Sequence, residues 1–213
     1  MVTLYSTLVF SVLVQFMTGI IEIALLFLKV PAPFLLIKQL LFLDVVVQFI
    51  EASFYTYWLL HFRKIQDITP KRYADWMITT PTMLFTLIFY LLFLKSPGIT
   101  FEQIWGQEAT TILVVLALNG LMLLFGYLGE IKALPIYWSV GAGFVPFFIY
   151  FYIIHEKYGG SPLFYYFFFV WLLYGVAAML PYKEKNMSYN VLDLFAKNFF
   201  GIFLGYVLYS VKN

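Results

Sequence analysis

Lys197 stands deep in an apolar run, Val191-Leu-Asp-Leu-Phe-Ala-Lys-Asn-Phe-Phe200, with Asp193 four residues before it. If the run is helical, that spacing puts amine and carboxylate on one face. Such a pair can be a plain buried ion pair. It can also do chemistry: a desolvated lysine is a good amine nucleophile that condenses with an aldehyde to an imine, and a protonated imine needs a carboxylate counterion. Asp193 and Asp75 are the two candidates for that counterion.

Asp75 lies in Lys71-Arg-Tyr-Ala-Asp-Trp-Met-Ile-Thr-Thr-Pro-Thr-Met-Leu-Phe85, which puts an arginine, an aspartate and three threonines into a stretch that otherwise reads as apolar helix. At ~100° per residue, Arg72, Asp75, Thr79, Thr82 and Thr86 fall within about 80° of one another. They form one polar face, which taken alone could equally be hydrogen-bonding glue between helices.

A second pattern occupies the first 60 residues. Ser11, Gln15, Thr18 and Glu22 share about 60° of one helix, and Asp44, Gln48, Glu51 and Tyr55 about 60° of the next. A tight turn centred near residue 31 would set Ser11 level with Glu51, Gln15 with Gln48 and Thr18 with Asp44. The facing stripes read either as a structural seam or as a polar path. Three carboxylates favour the path, since glue needs only neutral groups while a cation route benefits from acids.

The elements that must hold these residues follow from composition. Of 213 residues, 63% are hydrophobic and 11% charged, with a mean hydropathy of +0.88. That is an integral, multi-pass membrane protein. Runs long enough to cross a bilayer at ~1.5 Å per residue lie near 2–28, 34–62, 71–95, 109–129, 134–155, 161–180 and 187–211. The fold expected is all-α, a single seven-transmembrane-helix bundle over residues 1–213. Connections are short, so sequential helices are antiparallel neighbours. Thr69-Pro70 reads as an N-cap and first helical residue.

The first 27 or so residues carry no Lys or Arg before Lys29, unlike a secretory leader, and are expected to remain as a span. The absence of cysteine excludes disulfides and thiolate metal sites, and two scattered histidines make no metal constellation. Nothing in the charge pattern points to nucleic acid. Each of Glu22, Asp44, Glu51, Arg72, Asp75, Asp193 and Lys197 would cost roughly 3 kcal/mol if isolated in the membrane. Together that exceeds the ~5–15 kcal/mol of ordinary net stability, so they must converge, pair or hydrate. With the N-terminus outside, five Lys/Arg lie inside and seven outside, so the positive-inside count leans the other way.

Arg72-Tyr-Ala-Asp-Trp-Met-Ile-Thr-Thr-Pro81 and Leu192-Asp-Leu-Phe-Ala-Lys197, on a seven-span chain, resemble the microbial (type 1) rhodopsins over nearly the full length, and the compact chain looks most like their viral branch. The resemblance implies all-trans retinal as a protonated Schiff base on Lys197, Asp75 as primary counterion and proton acceptor, Asp193 as second counterion and Arg72 as a gate. It implies an extracellular N-terminus and cytoplasmic C-terminus, a multi-pass location in a bilayer (a host cell membrane if viral), and no enzymatic activity. Trp76, Thr80, Met83, Asn119, Met122, Trp138, Trp171 and Tyr174 match the retinal pocket, with Asn119 expected to pair with Thr80. Tyr57 matches the tyrosine near the second counterion.

Departures from the pattern bear on function. Outward proton pumps that resemble this chain carry an acid at the third-helix position of Thr86, whereas the series here is Asp75, Thr79, Thr86. Threonine cannot donate a proton at neutral pH. Gly175 replaces a usual proline, Ala178 replaces a pocket tryptophan, and Glu184 alone stands where paired glutamates release protons. Channelrhodopsins resemble this chain in placing acids along the second helix, and Asn198 would border their path, but the lack of a large terminal domain separates it from the algal ones. The leading expectation is a light-gated cation channel whose path takes in Ser11, Gln15, Glu22, Asp44, Gln48, Glu51 and Asn198. The alternatives are an outward proton pump, with Asp44 or Glu22 as donor, and a photosensor signalling through a membrane partner. Expected partners are retinal, lipid and monovalent cations or protons; self-association is compatible with the pattern.

Overall fold

The computed structural model describes residues 3–212. Seven helices follow one another: α1 (Leu4–Leu26), α2 (Leu35–Leu60), α3 (Thr69–Lys95), α4 (Phe101–Glu130), α5 (Ile136–Tyr158), α6 (Pro162–Ala178) and α7 (Tyr182–Ser210). Six are long and apolar enough to cross a bilayer; α6, at 17 residues, sits at the short end of that range. The chain is an integral multi-pass membrane protein.

Local chemistry sets the helix ends. Gly159 closes α5 in the left-handed region (φ +83°), where its N–H donates to His155 O at 2.8 Å. Two residues on, Ser161 accepts from Phe164 N at 3.2 Å and Pro162 opens α6. Two starts differ from the sequence reading. α4 begins at Phe101 and not near 109, because Thr100 and Gln103 form a reciprocal capping box. α3 includes Thr69: the cap position is Ile68, and Asp67 Oδ1 accepts from Thr69 N at 2.9 Å.

Consecutive helices pack side by side, and α7 closes the ring against α1, α2 and α6. In α3 and α7 more than half of the apolar window is buried (61% and 56%), against 28% in α1 and α4. α3 and α7 are therefore the central helices, so a charge placed on them is screened from lipid by neighbours. α7 is not regular throughout. Its turn Leu194–Asn198 is a π-helix, which widens the spiral at Lys197 and leaves the local backbone ladder one residue out of register.

The α1–α2 register also differs from expectation. Glu22 meets both Gln48, whose Nε2 donates to its Oε1 at 3.2 Å, and Asp44, which centres the hairpin at about residues 33–35 and not 31. Lys38 Nζ donates to Leu28 O at 2.9 Å, so the connection folds back beside the first turns of α2 instead of turning tightly at the prolines.

Candidate functional site

α3 and α7 bring opposite charges together in the middle of the bundle. Lys197 Nζ donates to Asp75 Oδ2 at 2.8 Å and lies 3.6 Å from Asp193 Oδ1. A third carboxylate joins from α2, with Glu51 Oε1 at 3.5 Å from the same nitrogen. All four side chains are buried. The sequence reading puts Glu51 in the polar seam, and in the structure the seam meets Lys197 there.

Asp193 is the most heavily engaged of the three acids. Tyr55 OH donates to its Oδ2 and Tyr174 OH to its Oδ1 at 2.6 Å, while Arg72 Nη1 stands 3.5 Å away. Arg72 is fixed on all sides. It donates to Tyr55 OH (2.8 Å), Asn186 Oδ1 (2.9 Å) and Asn190 Oδ1 (2.5 Å), and its guanidinium lies over Trp58, Tyr55 and Tyr189 at 5.1–5.6 Å. The tyrosine at the second carboxylate is thus Tyr55, not Tyr57, which is half exposed.

Asn186 and Asn190 are functional neighbours that the sequence reading does not single out. A signal for them exists: Asn186, Asn190, Asp193 and Lys197 follow helical spacing on a single face. Asn186 Nδ2 donates to Thr69 Oγ1 and Asn190 Nδ2 to Thr7 Oγ1, so the plug around Arg72 ties α1, α3 and α7 together.

Beside Lys197 lies an apolar cavity of about 750 Å³ including its mouth, within the range of small-molecule sites. Trp76, Thr80, Met83, Met122, Trp171 and Tyr174 line it as expected. Asn119 supports the wall from behind, donating from Nδ2 to Thr80 Oγ1 at 2.8 Å. Trp138 does not belong to it: the side chain is 78% exposed, and α5 contributes Ser139, Val140 and Gly143 instead. Gly126, Gly143, Gly175 and Ala178 supply small residues to the wall. A Cβ on Gly175 would strike the Phe144 ring, so the packing of α5 on α6 requires glycine at the position where resembling chains carry proline.

The third-helix threonines spend their hydroxyls on their own helix. Thr79 donates to Asp75 O at 3.0 Å and Thr86 to Thr82 O at 2.9 Å. Each hydroxyl is thereby tied to a backbone carbonyl one turn back on α3.

Of the seven seam residues, all are buried, at 3% exposure or less. Four converge: Asn198 Nδ2 donates to Gln48 Oε1 (2.9 Å) and to Thr18 Oγ1 (2.7 Å), Gln48 donates to Glu22, and Asp44 lies with Glu22 against Gly201. Ser11 leaves the group and donates to Asn190 O at 2.9 Å. Gln15 keeps both amide atoms without a partner, as do Glu22 Oε2, Asp44 Oδ2 and Asn198 Oδ1.

A seven-helix bundle with one central lysine facing carboxylates and opening on a long apolar cavity defines a retinal-binding membrane protein. The bacteriorhodopsin-like family profile matches residues 4–211, and the chain belongs to that family. Among solved structures, the viral rhodopsin OLPVRII is 27% identical with a TM-score of 0.85, covering 99% of both chains. The blue light-absorbing proteorhodopsin from Med12 is 16% identical with a TM-score of 0.78 over 97% of this chain and 96% of that one. Xanthorhodopsin, described as a light-driven ion pump with dual chromophore, is also 16% identical, with a TM-score of 0.75 over 97% and 92%. No curated protein matches the chain by sequence.

Members of this family bind retinal through a lysine Schiff base, and the residues here fit that group. Lys197 is fully enclosed at the cavity's polar end. The only other lysine buried among the described residues, Lys185, is committed to Glu130 at 2.8 Å. The lining is apolar for most of its length, as a polyene requires. Retinal is therefore the cofactor and Lys197 its attachment point.

Proposed function

We propose that the protein is a light-gated cation channel. The observation that carries this reading is the buried seam between α1, α2 and α7, where acids and amides keep polar atoms without partners. A purely structural seam would satisfy those atoms, because each buried unpaired group costs about 1–3 kcal/mol. A path that hydrates on opening needs them.

Bound retinal supplies visible absorption and a light-driven change of shape. The chain does the rest. Asp75 is placed to take the proton held at the Lys197 nitrogen. Glu51, 3.5 Å from that nitrogen, couples the loss of positive charge directly to the seam. The clasp of Asn198 on Thr18 and Gln48 closes the path on one side of Lys197, and the Arg72 plug closes it on the other. Acids along the path favour cations. In this reading the N-terminus is extracellular, so the Arg72 plug faces outward.

Photocurrent against voltage in symmetric solutions tests the proposal. A current that reverses near zero supports a passive channel. A current that stays outward at moderate negative voltage replaces it with the second reading, an outward proton pump, which the Asp75–Lys197 contact favours. No current in either regime leaves photosensing.

Glu51→Gln is expected to reduce photocurrent by about tenfold, the equivalent of ~1.4 kcal/mol in barrier height. From sequence alone this change leaves the spectrum almost untouched. The 3.5 Å approach to Lys197 reverses that expectation, and the absorption maximum should move as well. Unchanged photocurrent in Glu51→Gln would make the seam structural.

A further inference from the structure

The geometry points to Glu22 and Asp44 as an acid pair that holds one proton between them and returns it to Lys197, the role that Thr86 cannot fill. The two carboxyls come from different helices, and both meet at Gly201 on α7. The position that a Cβ on residue 201 would occupy is in contact with Asp44 Oδ2 and Glu22 Oε1 at once. The two oxygens are therefore no more than about 4.3 Å apart. Both residues are buried, Glu22 at 0% and Asp44 at 2% exposure. Two carboxylates at such range in an apolar surrounding cannot both ionise without a cation between them.

Among the described residues no Lys, Arg or His nitrogen lies within 4 Å of either carboxyl. Lys197, the nearest lysine on α7, pairs instead with Glu51, Asp75 and Asp193. The charged groups that face the pair are Glu51, further along α2, and Lys197 on α7. α3 brings no carboxylate or amine to this level between Asp75 and Lys95. A second observation also marks the place as a proton site. Glu22 Oε2, Asp44 Oδ2 and the neighbouring Asn198 Oδ1 are buried acceptors with no donor. An acidic hydrogen between the carboxyls gives Asp44 Oδ2 the partner it lacks.

The route to Lys197 is built from the same contacts. Glu22 accepts from Gln48, Gln48 accepts from Asn198, and Asn198 follows Lys197 in the chain. Along α2, Asp44, Gln48 and Glu51 share one face, and Glu51 lies 3.5 Å from Nζ. Once Asp75 has taken the Lys197 proton, the O–H bond of the pair breaks and an N–H bond forms on Lys197, with Glu51 as relay. A proton from bulk water replaces the one that leaves as it leaves, so the pair never stands as two carboxylates. This second half rests on the retinal chemistry of Lys197 but not on channel activity, and holds for a pump as well.

Infrared spectroscopy of the dark, retinal-loaded protein tests the shared proton without any photocurrent. The difference between wild type and Glu22→Gln/Asp44→Asn should contain one protonated-carboxyl C=O stretch and one carboxylate stretch. Each single variant should keep the C=O stretch and lose the carboxylate stretch, so the test survives if the double variant does not fold. Two carboxylate stretches and no C=O stretch would overturn the proposal in favour of a bound metal cation, and two C=O stretches would overturn it in favour of two independent neutral acids. In flash spectroscopy, Glu22→Gln/Asp44→Asn should slow the proton-returning phase by about 10²-fold, the usual worth of a positioned general acid. An unchanged rate overturns the donor role, while the dark spectrum separately decides the pairing.

Discussion

Lys197→Ala is expected to yield a folded protein with no covalent visible absorption. The nitrogen that forms the imine is gone, and no substitute is within reach. Lys185 is held by Glu130 at 2.8 Å and 3.1 Å. The apolar cavity is untouched by the change, so free retinal can still enter it but cannot take up the charge that Asp75, Asp193 and Glu51 are arranged to balance. Loss of colour through misfolding is separated by Lys197→Arg, which keeps a buried cation between the same acids yet cannot form an imine. Borohydride reduction of the wild type under illumination should fix retinal to the peptide containing Lys197. A Lys197→Ala protein that keeps a covalent visible chromophore would sink the assignment.

Why this lysine is legible in the sequence, while parts of its surroundings are not, follows from the solvent. In a bilayer, charge is expensive enough that ionisable residues report the interior by themselves. Residue type and helical spacing alone bring Lys197, Asp193, Asp75 and Arg72 together, and the spacing of Asp44, Gln48 and Glu51 marks an inward face of α2. Extending that stripe by four residues reaches Tyr55, which is the tyrosine on Asp193. Tyr57, two residues and about 200° further round, has to point outward.

Apolar residues carry no such label, because lipid is as apolar as the core. Trp138 and Trp171 are the same residue type on neighbouring helices, yet one is 78% exposed and the other is 7% exposed against the cavity. Nothing in a wholly apolar helix tells these faces apart, so pocket assignment by pattern fails at Trp138. Register between helices is hidden for another reason. It depends on Lys38 reaching back to Leu28, a long-side-chain contact that the Pro31–Pro33 punctuation does not announce. The early start of α4 is readable, since Thr100-x-x-Gln103 is a capping-box pattern; the charged and polar residues that follow it obscure the signal.

Asp193→Ala should be the most destabilising of the single site substitutions, by about 3–5 kcal/mol in the retinal-loaded protein, the range found when one member of a buried charge pair is removed. Asp193 accepts from Tyr55 and from Tyr174 and faces both Arg72 and Lys197. Asp193 is also the only carboxylate within 4 Å of Arg72 among the described residues. Its removal leaves two buried hydroxyls and a buried guanidinium short of acceptors, and the plug that joins α1, α3 and α7 loses its anchor. Asp193→Asn retains an oxygen that can accept from one or both tyrosines while deleting the charge. Its cost should fall between wild type and Ala, and the gap between the two variants measures the hydrogen-bonding share. Asp75→Asn makes the control: Asp75 Oδ1 has no partner and Oδ2 has only Lys197, so the loss should be smaller. Denaturation in detergent with visible absorption as the probe reads all three. An Asp193→Ala protein within about 1 kcal/mol of wild type, at the bottom of the ~1–3 kcal/mol scale of a single lost buried partner, would show that Arg72 and the tyrosines find other acceptors and that the site does not depend on this carboxylate.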